Sequence, residues 1–151
     1  MRDSTNGSFA AVAVALVAIV QVAAIGSVLS AGLELALVAV PAVARLSAVF
    51  AAWLGRPVNP RSLGGSVMGR PSLGGVLIVA LWTVGAFAVF VAALGGGPST
   101  WLLVAVTLAA ALVVPHVLSG GIGGVNGDIM GASILVVETA CFALIALIRG
   151  G

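Results

Sequence analysis

Five apolar stretches, residues 9–29, 33–54, 74–94, 101–118 and 129–148, dominate this chain of 151 residues. Each is close to the ~20 mostly apolar residues that a helix needs to cross a bilayer. Gly/Pro/Ser-rich or charged segments separate them and mark where helices stop. The expected fold is therefore all-α: a single polytopic membrane helix bundle over residues 1–151, with about five transmembrane helices. Composition agrees, since 62 % of the residues are apolar and 7 % charged, against the roughly 25 % charged residues of soluble domains. An ordinary soluble domain and a disordered chain are excluded, and a single cysteine, Cys141, excludes a disulfide scaffold. The first stretch is longer than the ~7–15 apolar residues of a secretory signal, so it is read as a retained span.

The charges are few enough to be placed one by one. Six arginines and no lysine stand against four acids, for a net charge of +2. That is too dilute for a nucleic-acid surface, so the lipid bilayer and not nucleic acid is the expected partner. Arg56, Arg61 and Arg70 lie between spans two and three, and Arg2 precedes span one. With five spans these segments share a face with the linker 119–127, and the positive-inside rule makes that face, with the N-terminus, cytoplasmic. Glu34 and Arg149 fall on the opposite side. No internal repeat of the kind that builds many secondary transporters is present.

The linker 119–127 contains five glycines, which leaves its backbone free to adopt φ > 0 and to approach a ligand closely. A helix is expected to start at about Asp128, with its first N–H groups pointing back into this linker, an arrangement that attracts phosphate. Asp128 is suited either to capping that helix or to one position on Mg²⁺. A dinucleotide fingerprint fails, because Asn126 stands where the third glycine belongs and no strand precedes it. The bland alternative is a flexible hinge, with Gly127 and Gly131 forming a small-xxx-small helix contact. The loop between spans two and three carries three arginines, whose guanidinium groups suit phosphate but also serve as topology signals or lipid anchors. Arg45 and Glu138 each lie at a depth of roughly 14 Å, close to the midplane. An unpaired charge there costs at least ~2.5–3.5 kcal/mol, so the two are expected to face each other, directly or through water. His116, close to the end of span four, suits a base or a hydrogen bond to ligand, with a structural role the weightier reading. Cys141 is expected to be buried and inert, and Trp53, Trp82 and Trp101 to be ordinary membrane tryptophans. At the N-terminus, Asp3, Ser4 or Ser8 would cap span one.

In order, these segments resemble one family. Arg2-Asp3-Ser4-x-x-Gly7 after the initial Met is similar to the Met-Arg-Asp-Ser-x-x-Gly motif of the cobalamin synthases, the adenosylcobinamide-GDP ribazoletransferases. Arg45-x-Ser47-Ala48 falls where that family has an arginine inside a membrane helix. Arg56, with Leu63-Gly64 after it, resembles its basic loop. Gly123-Gly124-x-x-Gly127-Asp128-x-x-Gly131-Ala132 resembles its Gly-Gly-x-Thr-Gly-Asp-x-x-Gly-Ala signature, and Glu138 matches a downstream acid.

The resemblance implies a multi-pass enzyme of the bacterial plasma membrane. It would join adenosylcobinamide-GDP to α-ribazole or its 5′-phosphate and release GMP, with Mg²⁺. Such phosphoryl transfer relies on positioning and charge neutralisation. By resemblance, Asp128, Arg45 and Glu138 are the expected catalytic residues. Arg2, Ser4, Arg56, Gly123, Gly124 and Gly127 would bind substrate phosphate, and Asp3 and Asp128 would hold metal. The family's main acidic Mg²⁺ stretch lies upstream of the part matched here, so the chain reads as the C-terminal part of a longer enzyme, compatible with an oligomer. Departures from the signature are Asn126 in place of threonine, Ser119 and Gly120 in place of basic residues, and no acid near Leu135. Two other classes compete: a small helical transporter or channel component, and a non-catalytic membrane scaffold.

Overall fold

The computed structural model describes residues 4–61, 65, 66, 68, 69 and 72–149, with side chains from Ala11 onward. The described residues form six helices: α1 (Ser4–Ser30), α2 (Ala36–Ala44), α3 (Leu46–Leu54), α4 (Leu73–Leu94), α5 (Pro98–Gly120) and α6 (Gly127–Arg149). They make five candidate membrane spans, Ala11–Ser30, Ala36–Leu54, Leu73–Leu94, Pro98–Gly120 and Gly127–Arg149. The all-α bundle expected from the apolar stretches is the fold observed.

The second span is two helices and not one. Pro41 lies inside α2, and proline cannot donate to the carbonyl four residues back, so the ladder loosens there. The chain re-forms a helix after Arg45, whose amide bonds to the Pro41 carbonyl at 3.3 Å. Other boundaries follow local signals. Ser72 caps α4 by accepting from the Gly75 amide at 3.1 Å, and Pro98 occupies the first turn of α5, where a missing N–H costs nothing. Ser8 lies inside α1 and so does not cap it.

α6 packs against α1, α2, α3 and α5, while α4 leans mainly on α2. Its buried side chains Ile129, Ser133, Val137, Cys141 and Ile145 recur every four residues and form one stripe along the helix. On α2 and α3 the fully buried residues include small ones, Ala36, Ala39, Ala44, Ser47 and Ala51. Lipid is as apolar as leucine, so membrane helices associate through close packing, and small side chains permit it. Among the buried hydroxyls, Ser133 donates to Ile129 O of its own helix, Ser47 to Ala44 O across the break in span two, and Thr100 to Leu94 O, while Thr139 Oγ1 has no partner. Thr107 meets the buried Cys141 sulfur at 3.4 Å, bridging α5 to α6.

Antiparallel connections gather two loops, the described part of 55–72 and 121–126, at one end of the bundle. At the other end, Arg149 at the close of α6 donates to the Leu94 carbonyl at 2.6 Å and to Thr100 Oγ1 at 3.2 Å. It thereby caps the C-terminus of α4, the end that favours a cation.

Candidate phosphate-binding loops

The arginine loop and the glycine-rich loop are joined backbone to backbone. The Val125 amide donates to Arg56 O at 2.8 Å, and the Val58 amide donates to Val125 O at 3.1 Å. These bonds make an isolated parallel bridge between Pro57 and Val125. A Cβ at Gly124 would lie 2.7 Å from Arg56 O and 3.1 Å from Val58 N, so the approach requires glycine. Val125 is buried with Ala51 and Ile129 in a small apolar cluster beneath the loops. The neighbouring Gly123 has φ +77°, a left-handed turn that glycine adopts at little cost.

Asn126 directs α6. Its Oδ1 accepts from the Ile129 amide at 2.9 Å, and its carbonyl accepts from Met130. Asn126 is therefore the cap, and Asp128 is not; Asp128 sits exposed in the first turn. Threonine, the residue in the signature that this segment resembles, caps helices by the same chemistry. Asn126→Thr is expected to change stability by a few tenths of a kcal/mol, and Asn126→Ala to cost about 1 kcal/mol, readable in thermal unfolding of the detergent-solubilised protein. Gly127 and Gly131 are exposed, and a Cβ on either would meet nothing within 4 Å. The small-xxx-small helix contact is thus not formed among the described residues.

Of the expected site residues, the fold brings Arg56, Gly123, Gly124, Gly127 and Asp128 to one end. Arg56 and Arg61 are exposed there, and the Asn59 side chain turns the loop by accepting from the Arg61 amide at 3.0 Å. Arg2 and Asp3 lie outside the described residues, as does the side chain of Ser4. Arg45 and Glu138 stand apart, at the midpoints of spans Ala36–Leu54 and Gly127–Arg149. The helices that carry them do pack together, but the two side chains form no ion pair. Glu138 Oε1 instead accepts from Gln21 Nε2 of α1 at 2.7 Å, while Arg45 Nη1 donates to Pro41 O at 2.7 Å. Gln21 was missed from sequence, although it is the only side-chain amide within residues 9–29. His116 bonds the Leu112 carbonyl of its own helix through Nδ1, a structural arrangement.

Among the described residues no three His, Cys, Asp or Glu side chains come together. Asp128 is the one described carboxylate beside the loops, since Glu34 follows α1 at the opposite end and Glu138 is at mid-span. Magnesium is commonly held by one or two carboxylates together with substrate phosphates and water, so Asp128 would supply one such ligand.

Comparison with known proteins bears on the same segments. The family described as cobalamin-5-phosphate synthase matches residues 1–146. A protein of Syntrophobacter fumaroxidans named adenosylcobinamide-GDP ribazoletransferase is 37 % identical over 144 residues, covering 91 % of this chain and 54 % of its own length. One of the same name from Frankia casuarinae is 30 % identical over 155 aligned positions, covering 97 % and 56 %. The chain thus spans about half the length of the curated relatives it matches. No solved structure matches it. A match from Met1 into α6, taking in both joined loops, shows that the chain belongs to the cobalamin-5-phosphate synthase family.

Proposed function

We propose that the joined loops hold the phosphates of adenosylcobinamide-GDP for transfer of its cobinamide phosphoryl group to α-ribazole or its 5′-phosphate. In this reaction a ribazole hydroxyl attacks the phosphorus bonded to cobinamide. The pyrophosphate P–O bond breaks, GMP departs, and the hydroxyl proton is released. The Arg56 guanidinium serves as a charged donor to phosphate oxygens, and the first N–H groups of α6 serve as neutral ones. Such fixed donors stabilise charge on the transferring group without reorganising. Arg2 and Ser4 would add donors from the start of α1. The loops face the cytoplasm of a bacterial plasma membrane in this reading, on the positive-inside rule.

The observation that most supports the proposal is the pair of backbone bonds between Arg56–Val58 and Val125, which carries an arginine to a helix N-terminus. Mg²⁺ would be held by Asp128 and Asp3 together with the substrate phosphates. No step of this transfer is routed through Arg45 or Glu138, which stand at mid-span away from the joined loops.

Binding of adenosylcobinamide-GDP to the chain in nanodiscs tests the reading. A charge-assisted contact contributes about 1.5–3 kcal/mol, so Arg56→Ala is expected to weaken binding about 10- to 100-fold. Equal affinity of wild type and variant would remove Arg56 from the site.

A further inference from the structure

Arg45 is exposed at the middle of a membrane span and bonds only a carbonyl of its own helix. Glu138 is engaged by Gln21, so no described residue supplies the guanidinium with a counter-charge. Arg45 follows Val38 by seven positions and Ala42 by three, which continues the same helix face. That face borders an apolar groove of about 390 Å³ between α2 and α4, lined by Val38, Ala39, Ala42, Trp82, Gly85 and Ala86 among others. Trp82 ties the two helices by donating to the Ala42 carbonyl at 3.3 Å. Small residues at a membrane-facing groove permit close approach of another helix, and an intramembrane charge calls for a partner.

We infer that the groove is the docking surface for a further membrane helix that carries a carboxylate at mid-depth, paired with Arg45. Charge complementarity and depth favour this occupant. A lipid phosphate lies at the membrane surface, about 15 Å from the midplane, too far for a mid-span guanidinium. A second copy of this chain offers no exposed mid-span acid among its described residues, since Glu138 is taken and Glu34 lies beyond the span ends. In the curated relatives nearly half of the length lies outside the shared part, enough chain to supply such a helix. The inference is independent of the phosphate-binding proposal.

The test uses the full chain in zwitterionic nanodiscs with Trp53→Phe and Trp101→Phe, so that only Trp82 fluoresces. The probe is a synthetic Leu/Ala membrane helix with one central Glu and a quencher beside it; its control has Gln instead. The Glu helix is expected to quench Trp82 at a peptide concentration at least tenfold lower than the Gln helix. Arg45→Gln should abolish the difference and Arg45→Lys retain it. Gly85→Leu should abolish quenching, because a side chain there enters open space and fills the groove. Equal quenching by the two helices, or quenching by neither, overturns the inference. So does quenching by brominated phosphatidylglycerol that Arg45→Gln removes, which would assign the groove to lipid, or quenching between labelled copies of the chain.

Discussion

Gly124→Val is expected to pull the two loops apart. Its Cβ would come within 2.7 Å of Arg56 O and 3.1 Å of Val58 N, the groups that pair with Val125 across the junction. Both are backbone atoms and cannot rotate away, so residues 56–58 must move and both hydrogen bonds are lost. At about 0.5–1.5 kcal/mol each, that amounts to about 1–3 kcal/mol of local stability. Amide exchange reads it directly: Val58 and Val125 should lose protection while the amides of α6 keep theirs. On the proposed function, affinity for adenosylcobinamide-GDP falls at least tenfold, because Arg56 no longer sits beside α6. Gly120→Ala is the control, since nothing lies within 4 Å of its Cβ, and a change within about 0.5 kcal/mol is expected. Retained protection at both amides in Gly124→Val would show that the junction does not depend on glycine.

Gln21→Leu gives the second large effect. It removes the amide that donates to Glu138 at mid-membrane and leaves a carboxyl group without its partner, at a cost of about 1–3 kcal/mol. Glu138→Leu in the same chain should recover most of that loss, since removing both partners together is nearly neutral. In a double-mutant cycle that recovery appears as a coupling of at least about 1 kcal/mol, in the upper part of the range of about 0.6–1.7 kcal/mol found between membrane helices. Denaturant unfolding in detergent micelles measures all four proteins. Additive losses would mean that the pair does not hold α1 to α6.

Depth was legible in the residue order; rotation about the helix axis was not. Counting a fixed rise per residue puts Arg45 and Glu138 at mid-span, and the structure keeps both there. Which side of its helix each presents depends on how the helices turn against one another. The small-residue face of α2 and α3 turned inward and carried Arg45 outward, while α1 brought Gln21 to Glu138. The expectation of a direct pair failed on that rotation.

The sequence by itself determined the five spans, the end of the bundle where the arginine and glycine loops meet, and the residues of the family signature. The first two follow from hydrophobic length and odd-numbered topology, and the third from the resemblance carried by the order of the motif residues. Only the tertiary structure decided that Arg56 and Val125 are bonded, that Asn126 and not Asp128 caps α6, and that Glu138 answers to Gln21. The first is a contact between backbone groups, which every residue possesses and which leaves no mark in side-chain identity beyond the glycine at position 124. The second turned on a two-residue shift in where the helix begins, and the third on a helix rotation set by packing.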